Sequence, residues 1–209
     1  FPDWSRVAHG QTDVRKSISW SVNTFYYYIG GGYKDFEGLG VTRINRYLDM
    51  FGFGKQLGLD IPGEGAGFLP SPEWKKRVKN EEWYVGDTYN YSIGQGDFLT
   101  TPLQIATMTG AIANKGTLYR PHVVRAIVNS VTNVEQVLSG EKIHEKFIPS
   151  QHLVTAGLGM KDCIDTGPCG VLRNLSFSVA GKTGTAQWSS TKDTHAWFTS
   201  FAPYSNPEI

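Results

Sequence analysis

The chain has 209 residues, of which 40% are hydrophobic and 19% are charged, and its formal net charge is +1. A chain of this length can bury one sizeable core, and the composition is that of an ordinary globular protein. The near-neutral charge excludes a bulk attraction to nucleic acid or to an anionic membrane, and no apolar run approaches the roughly eighteen residues that span a bilayer.

Residues 1–116 are predicted to be mainly helical. Residues 13–20 have the spacing of a short helix, which breaks at residues 21–23 with the sequence SVN. Asn23 or Thr24 can cap a second helix, because short polar side chains accept hydrogen bonds from the first free N–H groups of a helix.

Three further helices carry recognisable start or stop signals. Apolar residues at three- and four-residue steps predict a helix that ends at Gly52. Ser71, followed by proline, is a predicted N-cap. A capping box at residues 101–104 begins the helix that Gly116 ends. The preceding SIGQG stretch, residues 92–96, is predicted to be a turn whose glycines shape the chain.

Residues 117–209 are predicted to be mainly sheet, with one helix that Ser150 caps and that runs through Met160. Strand-like runs lie at residues 123–128, 176–187 and 195–201, with polar turns at 129–140 and 189–194. This order indicates an α/β fold, with a mostly antiparallel sheet flanked by helices and with a helical subdomain.

Two cysteines, Cys163 and Cys169, flank a Thr-Gly-Pro stretch that can turn the chain back on itself. A small-loop disulfide is therefore feasible in an oxidising compartment, and two unpaired thiols are the alternative. The histidines are scattered and no metal-binding spacing occurs, so we expect no metal and no organic cofactor.

The stretch VAGKTGTAQ, residues 179–187, has two interpretations. Gly-Lys-Thr ends a phosphate-binding loop, but that loop needs a glycine where Ser176 stands, and it must lead into a helix. Alternating and β-favouring residues surround Lys182 instead. We therefore predict that Lys182 lies on a strand, where Lys-Thr-Gly can form one wall of an acyl-transfer site.

Two short motifs stand in a fixed order, Ser21-Val22-Asn23 and Lys182-Thr183-Gly184. Taken singly, the first is explained as a helix cap and the second as an exposed strand lysine. Together with SVNTFYY, LGLDIPGE, SIGQG, TPLQ, VAGKTGTAQ and HAWFTSFAP, they make the chain closely resemble the transpeptidase domain of class B penicillin-binding proteins of the elongation type. The resemblance runs over essentially the whole chain.

The resemblance implies a fold like that of penicillin-binding proteins and serine β-lactamases. The family also uses an S-x-x-K motif, which carries the serine nucleophile and precedes S-x-N. Since no such motif precedes Ser21, we expect the nucleophile upstream of Phe1 and a chain that is incomplete at both ends. Later matches, at residues 139–142 and 189–192, lie in polar, turn-like stretches and are predicted to be unrelated to catalysis.

The resemblance also assigns catalytic roles. Ser21 would relay a proton between the missing lysine and the leaving amine, and Asn23 would orient that lysine and the amide of the donor peptide. Lys182 would place a cation beside Ser21 and attract the carboxylate of the peptide. The Thr185 N–H would be one oxyanion donor.

Substrate binding is assigned to the same strand. The hydroxyls of Thr183 and Thr185 would meet the carboxylate, and Gly184 would let a substrate backbone lie close as an added strand. Gln187 and Trp188 flank the groove. For these two residues the sequence leaves two alternatives, lining the substrate site or packing.

The implied function is a peptidoglycan D,D-transpeptidase that cross-links stem peptides through a serine acyl-enzyme and is a β-lactam target. A D,D-carboxypeptidase, a β-lactamase or a non-catalytic fragment that only binds peptide are the alternatives. Partners would be stem peptides, β-lactams and cell-wall elongation proteins, without nucleic acid. The domain would face the periplasm, tethered only by an N-terminal anchor that is missing here.

Overall fold

The computed structural model describes residues 3–5, 8–189 and 191–209. The helices are α1 Val14–Ser19, α2 Asn23–Gly31, α3 Gly40–Met50, α4 Pro72–Lys79, α5 Val85–Ser92, α6 Pro102–Ala113 and α7 Ser150–Asp165. The strands are β1 Thr117–Tyr119, β2 Ala126–Val128, β3 Glu135–Val137, β4 Lys142–Glu145, β5 Ala180–Ala186 and β6 His195–Phe201. The predicted α/β class, with antiparallel strands and flanking helices, is confirmed.

The break between α1 and α2 has the position that the sequence predicts. Asp13 caps α1 by accepting a 2.7 Å hydrogen bond from the Lys16 N–H. The cap predicted for α2 is wrong, because the buried Val22 takes the N-cap position and offers no side-chain acceptor. The Thr24 N–H instead donates a 3.4 Å hydrogen bond to the carboxylate of Asp3, which precedes α1.

The capping box of α6 is confirmed and does more than start a helix. Thr101 Oγ1 accepts from the Gln104 N–H at 3.2 Å, and Gln104 Oε1 accepts from the Thr101 N–H at 3.1 Å. The buried Gln104 Nε2 also donates to the carbonyls of Gly52, Lys55 and Ala66. One side chain therefore ties α6 to the irregular segment that follows α3.

The strands form three two-stranded antiparallel sheets, β1–β4, β2–β3 and β5–β6. The strand predicted at residues 123–128 is shorter, and the turn predicted at 129–140 contains β3. Both predictions were partly wrong because β2 and β3 form an exposed hairpin. Its two strands are held together by ladder hydrogen bonds, and they have no alternating buried face that the sequence pattern could reveal. Residues 176–179 are likewise not in a strand, and α7 continues beyond Met160.

Helix α7 packs against both α1 and β5. A Cβ at Gly159 would lie 2.8 Å from Ile18 Cβ, so the bare glycine allows α1 to approach closely. Arg15 of α1 donates two hydrogen bonds to the Asp162 carboxylate on α7. On its other side α7 contributes Met160 to a buried cluster with residues of β5 and β6. Helix α7 thus sets the position of α1 relative to β5.

The two cysteines form a disulfide, which settles the alternative that the sequence left open. Cys163, on α7, and Cys169 are both buried and pack with Val179, directly before β5. The bond therefore fastens the end of α7 beneath the start of that strand. Within the described ranges, none of the helices combines the length and the apolar character needed to cross a bilayer.

Candidate active site

The two sequence motifs meet in the folded chain. Lys182, on β5, donates a 3.0 Å hydrogen bond from Nζ to the hydroxyl oxygen of Ser21, in the break between α1 and α2. The same Nζ donates to the Thr183 carbonyl at 2.8 Å. These two bonds fix the lysine amine over the start of α2. The predictions that Lys182 lies on a strand and that this strand belongs to a hairpin are confirmed.

Ser21 has a left-handed backbone, with φ of 55°. This region favours glycine, and a residue with a side chain held there costs on the order of 1 kcal/mol. The conformation is held by Trp4, whose indole N–H donates to the Ser21 carbonyl at 3.1 Å, and by the bond from the Ser21 N–H to the Ile18 carbonyl. These two hydrogen bonds hold the Ser21 backbone in the position from which its hydroxyl meets Lys182.

Lys182 lies in an environment that disfavours its charge. Burial lowers the pKa of its ammonium group from the ordinary value of 10.5, and no carboxylate in the described part of the chain compensates. Lys75 is the contrasting case, since its Nζ lies 2.8 Å from Asp87 and this hydrogen bond raises the pKa of Lys75. Lys182 is therefore the lysine suited to exchange a proton with a neighbouring hydroxyl.

Asn23 lies two residues after Ser21, at the first position of α2, and is half-buried. Its carboxamide makes no hydrogen bond to any residue in the ranges that the structure describes. The group is available to a ligand at the same helical break. Its predicted role in orienting the donor peptide stays a prediction.

The outer edge of β5, away from β6, is the second wall of the site. The carbonyls of Thr183 and Thr185 accept side-chain hydrogen bonds, from Lys182 and from Gln95, so they face this edge. In an antiparallel strand the N–H and C=O of one residue point the same way. The Thr185 N–H therefore faces the edge too, where the sequence places an oxyanion donor.

The threonine hydroxyls lie apart from the Lys182 amine. Side chains alternate along a strand, so Thr183 and Thr185 extend from the face of β5 opposite to Lys182. Thr183 Oγ1 lies 3.8 Å from Cys169 Sγ, against the disulfide. The predicted contact of these hydroxyls with a substrate carboxylate stays a prediction. Gly184, between them, adds no side chain to the Lys182 face of the strand at its own position.

Beyond the end of β5, Gln187 is exposed and Trp188 packs locally. The Trp188 ring stacks on His195 at 5.4 Å, and its indole N–H donates to the Asp193 carbonyl at 2.9 Å. These contacts favour a packing role for Trp188 in closing the hairpin. Gln187 remains a predicted substrate-binding residue.

Gln95 is at this site although the sequence predicted only a turn for its loop. Its Nε2 donates a 3.0 Å hydrogen bond to the Thr185 carbonyl, across a separation of 90 positions. The available signal was a polar side chain between two glycines. That pattern is shared by many turns, so it did not indicate where the side chain would reach.

The later S-x-x-K matches are directed elsewhere. Lys142 pairs with Glu145 at 2.7 Å, and the Lys192 ammonium lies 4.6 Å from the Trp188 ring centroid. Ser190, in the second match, lies outside the described residues. Neither lysine is shown bonding to a serine of its own motif. In the described part of the chain there is also no group of three side chains that could hold a metal.

Comparison with known proteins points to one family. The family model described as "Penicillin binding protein transpeptidase domain" matches residues 1–209. The peptidoglycan D,D-transpeptidase MrdA of Acinetobacter baumannii is 34% identical over 223 residues, covering 100% of this chain and 32% of that protein.

Solved structures agree. The penicillin-binding protein PBP2 of Helicobacter pylori, in a complex with MreC, superimposes with a TM-score of 0.80 at 33% identity, covering 99% of this chain and 36% of that one. Pseudomonas aeruginosa PBP2 with WCK 5153 gives a TM-score of 0.81 at 29% identity, covering 100% of this chain and 45% of that one. The chain spans about a third of the length of the curated relatives it matches.

Proposed function

The chain belongs to the penicillin-binding protein transpeptidase family, and from that premise we propose that the protein which contains it is a peptidoglycan D,D-transpeptidase. It cross-links stem peptides through a serine acyl-enzyme and is acylated by β-lactams. The observation that carries this proposal is the 3.0 Å contact between Lys182 and Ser21, because it joins the two motifs into one proton-transfer pair.

In the proposed reaction a serine outside these residues attacks the carbonyl of the penultimate D-alanine. The developing oxyanion is held by the Thr185 N–H, and the bond to the terminal D-alanine breaks. The proton of the attacking serine passes to the lysine partner of that serine, also outside these residues, and Ser21, paired with Lys182, relays a proton from there to the leaving amine. An amine of a neighbouring stem peptide then attacks the acyl-enzyme, returns its proton through the same pair and releases the serine.

A transpeptidase differs from the hydrolytic alternatives in the group that accepts the acyl chain, which is an amine and not water. A β-lactamase needs a carboxylate that activates the deacylating water. The curated relatives that this chain matches are named peptidoglycan D,D-transpeptidases, which supports transfer to an amine over hydrolysis. An isolated fragment without the nucleophile would at most bind a peptide reversibly.

Substrate and family together suggest where the protein acts. Peptidoglycan lies outside the cytoplasmic membrane, so we place the domain on that face, tethered by a segment outside these residues. The buried disulfide between Cys163 and Cys169 is compatible with an oxidising compartment. Because the Helicobacter pylori relative forms a complex with MreC, cell-wall elongation proteins are the proposed partners.

Labelling with a fluorescent penicillin tests the proposal. We expect the full-length protein to form a covalent adduct and residues 1–209 alone to form none. As a control, Ser139→Ala and Ser189→Ala should leave labelling of the full-length protein unchanged. A full-length protein that is not labelled would refute the transpeptidase assignment. Labelling of the isolated chain at Ser139 or Ser189 would show that a different serine is the nucleophile.

A further inference from the structure

Gln95 makes a contact that the proposed reaction does not use. Its carboxamide donates to the Thr185 carbonyl at 3.0 Å, on the edge of β5 that is unpaired in the described part of the chain. An edge carbonyl of this kind is an acceptor for an added strand. A substrate strand that binds along this edge would therefore meet the Gln95 side chain at the Thr185 carbonyl.

The loop around Gln95 presents its side chain at a fixed position. Gly94 and Gly96 both have positive φ, of 75° and 80°, which glycine adopts without strain. The Gln95 N–H bonds back to the Asn90 carbonyl at 3.0 Å. On the far side, Asp97 accepts hydrogen bonds of 2.6 and 2.8 Å from Lys79. The Gln95 N–H and the two glycines fix the backbone of this turn, and the neighbouring Asp97 side chain is paired, so the Gln95 side chain can change its rotamer without a change in the turn.

The geometry of strand pairing shows which group competes with Gln95. In a hydrogen-bonded antiparallel pair, two opposite residues exchange both of their N–H to C=O bonds. If the reacting carbonyl of an acyl donor accepts from the Thr185 N–H, the N–H of that same donor residue is directed to the Thr185 carbonyl. Gln95 Nε2 is already 3.0 Å from this carbonyl, which is an ordinary length for a ladder hydrogen bond.

We propose that the Gln95 carboxamide occupies, in the free protein, the position of the acyl donor's amide N–H on the Thr185 carbonyl, and that it leaves when the donor binds. Gln95 then acts as a specificity-determining residue for donors with an amide N–H beside the reacting carbonyl. The inference rests on the proposed function, because it takes the Thr185 N–H to be the oxyanion donor.

Two β-lactams allow the role of this amide N–H to be tested, because only one of them carries it. Benzylpenicillin has an acylamino N–H on the carbon beside the lactam carbonyl, whereas imipenem, a carbapenem, has a hydroxyethyl group there. Benzylpenicillin must displace Gln95 and imipenem has no need to. Removing the carboxamide should therefore help the first reagent and leave the second unaffected.

The test uses Gln95→Met in the full-length protein, since methionine keeps the length of the side chain and loses the donor. We expect the second-order acylation constant to rise about fivefold for benzylpenicillin, which is the value of one net hydrogen bond, and to stay unchanged for imipenem. Gln56→Met is the matched control, because Gln56 also donates to a main-chain carbonyl, that of Glu64 at 2.8 Å, away from β5. It should alter neither constant.

A constant for benzylpenicillin that falls or stays the same in Gln95→Met would overturn the inference. So would an equal change for both reagents, which would indicate a general effect on the loop. A wild-type protein that neither reagent acylates would refute the proposed function, and this inference with it.

A second measurement does not depend on a variant. Crystal structures of the two wild-type acyl-enzymes should show the Gln95 carboxamide away from the Thr185 carbonyl in the benzylpenicillin adduct and still bonded to it in the imipenem adduct. Gln95 within hydrogen-bond distance of that carbonyl in the benzylpenicillin adduct would overturn the displacement.

Discussion

Lys182 Nζ lies 3.0 Å from the Ser21 hydroxyl oxygen, although the two residues are 161 positions apart in the chain. The link between them is α7, which packs against α1 on one side and β5 on the other. Lys182 brings a desolvated amine to a serine whose backbone is held in a glycine-like conformation.

Replacing Lys182 should remove the function and spare the fold. In the full-length protein we expect Lys182→Ala to lower the rate of β-lactam acylation by about a hundredfold or more, the usual contribution of a positioned proton-transfer group. The thermal midpoint should not fall, because the variant removes a charge that burial disfavours. Unchanged acylation would exclude Lys182 from the site.

Lys75→Ala is the matched control for that experiment. The Lys75 side chain is 7% exposed and its ammonium group pairs with Asp87, so its loss leaves a partly buried carboxylate without its cation. We expect this variant to lower the thermal midpoint and to retain the acylation rate at temperatures where it is folded. The two lysines would then separate a functional role from a structural one.

The lowered pKa of Lys182 predicts a pH dependence of stability. Between its folded pKa and the ordinary value of 10.5, the unfolded state binds more protons than the folded state, so the free energy of unfolding rises with pH in that window. Below the folded pKa the penalty of the buried charge is present in full. Wild type should therefore gain stability relative to Lys182→Met as pH rises toward 10.5. Denaturant midpoints of both proteins across this range measure the difference, and a relative loss would contradict the shift.

Ser21 allows stability and activity to be separated. Ser21→Gly relieves the left-handed backbone and Ser21→Ala keeps the strain, so the glycine variant should be more stable by about 1 kcal/mol. Both variants lack the hydroxyl, and acylation should fall by about a hundredfold in each. Unfolding curves and acylation rates provide the comparison. An active Ser21→Gly protein would show that the hydroxyl is dispensable.

Two glycines of β5 should respond differently to alanine. A Cβ at Gly181 would lie 2.8 Å from Phe198 Cζ, so Gly181→Ala should destabilise the fold by about 1–3 kcal/mol through overpacking. At Gly184 the contact is milder, 3.3 Å to Trp197 Cβ. Gly184→Ala requires Trp197 to shift by only a few tenths of an ångström, so it should lower the thermal midpoint less than Gly181→Ala, and it should slow acylation because its methyl group lies on the Lys182 face. Equal acylation in wild type and Gly184→Ala would argue against a substrate strand there.

The disulfide should stabilise the domain. Cys163 and Cys169 are separated by six positions, and closing a loop of this size contributes about 2 kcal/mol in the chain-entropy model. Replacing both cysteines with alanine should therefore lower the free energy of unfolding by about 2 kcal/mol. A reducing agent should lower the thermal midpoint of wild type and leave that of the double variant unchanged. The same response in both proteins would show that the bond is not formed in solution.

Local structure could be predicted where its causes are local. The predicted caps at Ser71 and in the box of Thr101 and Gln104 start helices because a capping side chain reaches an N–H only three residues away. The β5–β6 hairpin follows from two β-favouring runs and a short polar link. The predicted cap of α2 was wrong because its cause is not local. The Thr24 N–H donates to the carboxylate of Asp3, which lies 21 positions earlier in the chain.

The sequence by itself determined the α/β class, the helix starts at Ser71 and Thr101 and, through its ordered motifs, the family and the residues Ser21 and Lys182. Only the tertiary structure decided that Cys163 bonds to Cys169, and that Gln95 reaches the carbonyl of Thr185. Propensity and capping act over a few residues. The disulfide is close in sequence but depends on Cys169 packing back against α7 and Val179, and the Gln95 contact spans 90 positions. Which backbone edge stays unpaired, and which side chain covers it, is a result of that long-range packing.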